Sequence, residues 1–144
     1  MRHGRTLGIG YEGLSLDAFV EHLVGEGITV VADVRLTPLS RKPGFSKRAL
    51  ADGLAQRGIG YVHLRSLGNP KWNRAGFGGS DEDLSRAKDA YRERLDSPEA
   101  RDGLAQLRDL AEESNVGVLC FEADEERCHR SVVLQAMDAP VTSY

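Results

Sequence analysis

Ile28-Thr29-Val30-Val31-Ala32-Asp33-Val34-Arg35 decides the reading of the chain. From Ile28 to Val34 the β-branched residues do not alternate with polar ones, which is the pattern of a strand covered on both faces, as in a parallel sheet flanked by helices. The run closes on a carboxylate and a guanidinium. Toward the N-terminus, Thr6 to Gly10 reads as a short buried strand. Ser15 then caps a helix whose Leu16, Phe19, Val20 and Leu23 follow the i, i+3, i+4, i+7 rule and which Gly25 or Gly27 ends. Toward the C-terminus, Pro38, Pro43 and Gly44 make a loop, and Ser46 caps a helix with Leu50 and Leu54 inward and Gly58 at its end. Tyr61 to Leu64 is a third strand.

The stretch from Ser66 to Ser80 is rich in Gly, Asn and Pro and has no period of either kind, so a long loop is expected, of the sort that often carries function. Ser80-Asp81-Glu82-Asp83 opens a helix bearing Leu84, Ala87, Tyr91 and Leu95, and Ser97-Pro98 opens another with Leu104, Leu107 and Ala111 inward. Val116 to Phe121 is the fourth strand. Asp124 caps a last helix running to Met137 and stopped by Pro140, leaving Val141 to Tyr144 as an edge-strand candidate. Strands alternating with helices imply a single doubly wound, mostly parallel α/β sheet of four to five strands with helices on both faces.

A chain of 144 residues with 40% hydrophobic content is sized for one domain, here 1–144. No stretch approaches the roughly 18 apolar residues of a membrane span, and Met1-Arg2-His3-Gly4-Arg5 leads into a strand rather than an apolar signal core, so a cytoplasmic protein without a membrane partner is expected. Cys120 and Cys128 are then expected as free thiols. The charge is uneven. Val34 to Ser80 holds nine basic residues against the single acid Asp52, a surplus of eight, and a net charge of −3 leaves the remainder at −11. Either that segment builds a positive face toward an anionic partner, a small molecule or a nucleic acid, or folding disperses it.

In open α/β sheets, ligands bind beyond the carboxyl ends of the strands. Those ends carry Tyr11-Glu12-Gly13, Asp33-Val34-Arg35, Arg65-Ser66, and Glu122 with Asp124. Cys128-His129-Arg130 falls in the first turns of the expected last helix, where free N–H groups favour anions and lower a thiol pKa. Glu122, Cys128 and His129 are thus the catalytic candidates: a carboxylate, a nucleophile and a proton carrier. Asp33, Arg35, Arg41, Arg130, Tyr11 and Arg65 are the candidates for binding an anionic ligand. Asp33 and Arg35, two apart on one side of a strand, either bind it jointly or pair with each other. Trp72 beside Lys71 and Phe77 near Arg74 either stack a base or pin the loop over the core, with pinning favoured for so few aromatics.

Some familiar chemistries are excluded. Gly8-Ile9-Gly10-Tyr11-Glu12-Gly13 spells G-x-G-x-x-G, but the helix starts too late and Glu12 would repel a pyrophosphate. Neither cysteine has an arginine six positions on, so a C-x5-R phosphatase loop is missing. Cys120, Cys128 and His129 could supply three zinc ligands, yet their spacing fits no common structural pattern, and neither metal nor cofactor is expected.

Taken together, Ile9-Gly10-Tyr11-Glu12, Asp33-Val34-Arg35 with Pro38, Ser40 and Arg41, Tyr61-Val62-His63-Leu64 with Leu67-Gly68, and Leu119-Cys120-Phe121-Glu122 followed by Cys128-His129-Arg130 resemble the DUF488 family over about Thr6 to Met137. Asp-Val-Arg alone also opens rhodanese-type domains, which need a cysteine loop this chain lacks. The resemblance implies a small bacterial or archaeal α/β protein and supports the site positions, without a settled activity. Relatives with His-Asn in place of Cys-His shift the chemical emphasis from Cys128 to Glu122 and His129. The expected function is an enzyme acting on a phosphorylated or nucleotide-like small molecule by hydrolysis or group transfer. The alternatives are a non-catalytic nucleic-acid binder using residues 34–80 and a thiol-based regulatory protein.

Overall fold

A computed structural model describes residues 4–38, 40, 42–122 and 124–138. Along them run β1 (Thr6–Gly10), α1 (Leu16–Gly25), β2 (Val30–Asp33), α2 (Lys47–Ala55), β3 (Gly60–His63), α3 (Asp81–Leu95), α4 (Pro98–Glu113), β4 (Val116–Cys120) and α5 (Arg130–Asp138). The four strands are all parallel, in the order β1-β4-β2-β3. This is a doubly wound α/β fold, and no helix among the described residues is long and apolar enough to cross a membrane. Val141 to Tyr144 and Pro140, expected as an edge strand and a helix stop, lie outside the described residues.

The two-residue period of the strands sorts the core into two layers. Val31 and Leu119 face α1 and α2, joining Phe19, Leu23, Leu50 and Leu54. Ala32, Val116 and Val118 face the other way, against Tyr91, Leu104, Leu107 and Val133 from α3, α4 and α5. Local chemistry fixes the helix starts. Ser15 and Ser97 accept from the amides of Ala18 and Ala100, and Ser80 and Asp83 close a capping box at α3. Ser46 stands at the start of α2 without capping it: its hydroxyl accepts from the Ser40 amide and donates to the Ser40 carbonyl, so it ties the β2–α2 loop instead.

The stretch 66–80 is more ordered than its composition predicts. It is wound into three 3-10 turns, Arg65–Leu67, Lys71–Asn73 and Ala75–Gly78, and bound to α3. Tyr91 Oη donates to the Leu67 carbonyl (2.5 Å), Arg94 Nε to that of Gly68 (2.9 Å), and Asn73 Nδ2 to that of Ala87 (2.9 Å). Tryptophan does not pin it. Trp72 is 76% exposed, and the buried aromatic is Phe77.

The chain passes from β1 through β2 to β3 with α1 and α2 on one face, then returns over the other face through α3 and α4 to insert β4 at the centre. β4 and β2 are therefore neighbours whose following helices leave for opposite faces. Their carboxyl ends part at this point, which is where such sheets open a crevice.

Candidate active site

The strand register sets the floor of that crevice. Gly10 pairs with Cys120, and Asp33 pairs with both Leu119 and His63, so the ends of all four strands lie within about one residue of each other. A cleft of about 360 Å³ opens above them, within the range of small-molecule sites.

One wall is built on β2. Asp33, 0% exposed, is a closed unit with Arg35, which is 7% exposed. Arg35 donates from Nε to Asp33 Oδ1 (2.9 Å), from Nη2 to Oδ2 (2.7 Å) and from its amide to Oδ1 (3.0 Å), while Tyr61 Oη donates to Oδ2 (2.5 Å). Arg35 Nη1 is taken by Tyr11 Oη (3.1 Å) and the Phe45 carbonyl (2.6 Å). Burial alone would lower the Arg35 pKa, but the bonds and charge of Asp33 outweigh it and hold the guanidinium above its ordinary range. Burial, then the bond to Asp33, likewise pushes the Tyr61 hydroxyl up. Of the two sequence readings, the structure shows the internal ion pair. Asp33 does not line the cleft; Arg35 and Tyr11 do, with Tyr11 stacked on Phe45 at 4.3 Å.

The opposite wall comes from the segment after β4, and it differs from expectation. Asp124 accepts from the Glu126 amide and caps a 3-10 turn, Glu125–Arg127; Cys128 is extended (φ −137°, ψ 146°), and α5 begins only at Arg130. Cys128 and His129 therefore precede the helix. The amide of Arg130 still points at Cys128 Sγ (3.5 Å), so one end-of-helix donor does reach the sulfur.

His129 is the pivot. Its Nε2 lies 2.8 Å from the Val34 carbonyl. A carbonyl only accepts, so Nε2 carries a proton, and in the neutral form of the ring Nδ1 is the bare nitrogen. Nδ1 lies 3.7 Å from both Cys120 Sγ and Cys128 Sγ, and the ring rests edge-on against Tyr91. Cys120 Sγ in turn donates to Glu122 Oε2 (3.2 Å). The neighbouring Cys128 and burial push the Cys120 thiol up. Burial would lower the His129 pKa, but Cys120 and the Val34 carbonyl raise it overall.

Three arginines expected around the ligand fare differently. Arg41 lies outside the described residues. Arg65 is exposed and does not line the cleft. Arg130, 2% exposed, is buried with its Nε 3.6 Å from Glu125 Oε1, also away from the cleft. The site cations sequence reasoning missed are Arg74 and Arg127. Arg127 is held by the Gly79 carbonyl and Asp81, whereas the Arg74 side chain forms no salt bridge among the described residues and donates from Nε to the Asn69 carbonyl (3.4 Å). Arg74 sat in the aromatic-basic stretch already singled out, and Arg127 directly precedes Cys128. Of the other basic residues in that segment, Arg57 pairs with Glu21 and Arg35 is neutralised inside by Asp33.

In comparison with known protein families, the model of Domain of unknown function DUF488 matches residues 15–137. Searches of curated proteins and of solved structures gave none.

Proposed function

We infer the function of this chain, which belongs to the DUF488 family, from its site: an enzyme acting on a phosphorylated or nucleotide-like small molecule by hydrolysis or group transfer. The observation that carries this reading is one cleft lined both by the cluster Cys120, Glu122, Cys128 and His129 and by Arg74 and Arg127. A carboxylate and an imidazole of fixed tautomer are the parts of acid–base catalysis, and guanidinium groups beside them are the parts of anion binding.

Glu122 is the proposed acid–base residue, because it is half-buried at the end of the central strand and touches Cys120 rather than a cation. Arg74, without a carboxylate partner among the described residues, supplies the charge for the anion. Arg35 acts through position: its donors are largely spent on Asp33, Tyr11 and Phe45, so it shapes the wall and keeps Tyr11 in place. With Arg35 and Arg57 of the basic segment paired to carboxylates, a nucleic-acid face has no comparable support.

Calorimetric titration with phosphate monoesters and nucleotides, followed by turnover assays on the ligands that bind, tests the reading. Glu122→Gln should lower turnover by about 10²–10⁴-fold, the usual worth of a positioned acid–base group, and Arg74→Ala should weaken binding of the anion. No ligand among these classes, or full activity in Glu122→Gln, would remove the proposal.

A further inference from the structure

The sequence spacing of Cys120, Cys128 and His129 matches no common metal pattern, but the fold brings them together. Their donor atoms all lie within 4.8 Å of one another, and no other such group is found among the described residues. We propose that Cys120 Sγ, Cys128 Sγ and His129 Nδ1 bind one zinc-class divalent metal ion, with the fourth coordination position turned to the cleft beside Glu122.

Geometry supports this first. Zinc bonds of about 2.3 Å to sulfur and about 2.0–2.1 Å to nitrogen in a tetrahedron place S and N about 3.5–3.6 Å apart. Both S···Nδ1 distances here are 3.7 Å, near that value, while the two sulfurs, within 4.8 Å of each other, close around the ion to the ~3.8 Å that two zinc–sulfur bonds of about 2.3 Å require.

The tautomer is the second support. A metal-ligating histidine normally donates its other ring N–H to a carbonyl or carboxylate, which fixes the ring and aims the free nitrogen. The Val34 carbonyl at 2.8 Å from Nε2 does this for His129. The Arg130 amide at 3.5 Å from Cys128 Sγ supplies a comparable outer bond to one of the sulfurs.

Charge is the third. All three residues are buried, and a bare dication there would be costly. Binding displaces one proton from each thiol to solvent, and the two thiolates cancel the ion's charge while the imidazole stays neutral. Two sulfurs and a nitrogen select zinc-class ions over magnesium or calcium. The Cys120 proton that now bonds Glu122 leaves in the same event, freeing the Glu122 carboxylate to accept from a water in the fourth position. Three protein ligands with an open position are the form of a catalytic rather than a structural zinc site.

The catalytic meaning of the ion rests on the function proposed above, whereas its capture does not, and the experiment separates the two. The full chain, stripped with a chelator under a phosphine reductant, is titrated with cobalt(II). The expected result is saturation at one equivalent, with thiolate-to-metal charge-transfer absorption, the intense visible bands of a tetrahedral ion, and release of two protons. Cys120→Ser and Cys128→Ser should each weaken binding by more than about 100-fold, the most that loss of an outer-shell partner alone costs. Should either variant fail to fold by circular dichroism, X-ray absorption on the zinc-loaded native chain decides, with two sulfur neighbours expected. No uptake, an octahedral spectrum, or an absorption edge without sulfur overturns the metal site and leaves the enzyme proposal standing. Uptake with no anionic ligand and no effect of Glu122→Gln does the reverse.

Discussion

Asp33→Ala should be among the most damaging single changes in the chain, by an amount the structure sets. The Asp33 carboxylate accepts four hydrogen bonds, three from Arg35 and one from Tyr61. Its removal leaves the Arg35 guanidinium, 7% exposed, with a full charge and only Tyr11 Oη and the Phe45 carbonyl as acceptors. Breaking a buried pair from one side costs about 3–5 kcal/mol, because the surviving charge is uncompensated. For a urea m-value of about 2 kcal/mol/M, the unfolding midpoint should fall by about 2 M. The double variant Asp33→Ala/Arg35→Met removes the stranded charge and should recover much of the loss, so the two single effects will not add. Arg57→Ala, which breaks an exposed pair with Glu21, is the control and should cost under about 1 kcal/mol. Paired urea denaturation curves decide. If Asp33→Ala costs no more than Arg57→Ala, or if the double variant equals the sum of its parts, the pair does not hold this wall of the cleft.

Three further outcomes follow from the packing. Phe77→Ala should lose about 3–5 kcal/mol in the same denaturation assay, whereas the exposed Trp72→Ala should change stability by less than about 0.5 kcal/mol; a large effect at Trp72 would restore it as the pin of the loop. Gly68→Ala should destabilise by about 1–3 kcal/mol, because its added Cβ would lie 2.4 Å from Leu36 Cα and 2.8 Å from Leu36 N, and a neutral result by thermal unfolding would show that the loop shifts freely. Spectrophotometric titration should find Tyr61 and Tyr91 still protonated above the ordinary tyrosine pKa of 10.0, burial being the largest cause at both. A folded-state pKa raised above the unfolded one means stability is fully present below about 10.0 and declines as pH rises beyond it. Tyr61→Phe should flatten that decline, and titration of every tyrosine near 10.0 in the folded chain would refute the burial of both hydroxyls.

The fold was legible because its signals are local and repeated. The β-branched run without alternation that closes on Asp33 and Arg35 needed only a two-sided sheet to explain it, and the caps at Ser15, Ser80 and Ser97 are satisfied by amides three residues on. Where the reading failed, a long-range partner won. Ser46 has the residue type and position of a cap, but Ser40, six residues back, takes its hydroxyl. The composition of 66–80 reads as irregular because the bonds that order it go to α3, up to 26 positions away.

The site shows the same limit more sharply. The pairing of Asp33 with Arg35 could be weighed from a two-residue spacing, but its outcome depended on whether Tyr11, Phe45 and Tyr61 would converge on the same atoms, which no local pattern records. Arg130, adjacent in sequence to His129, is turned to Glu125 and lost to the cleft, whereas Arg74, 55 positions from His129, lines the same cleft. His129 depends on the sheet for its chemistry. The Val34 carbonyl that fixes its tautomer lies one residue past β2, free to accept a side chain because the ladder has ended there. A proton on Nε2, with Nδ1 left facing two sulfurs, thus follows from where a neighbouring strand stops, so the tautomer of the residue is set by topology rather than by the residues around it in sequence.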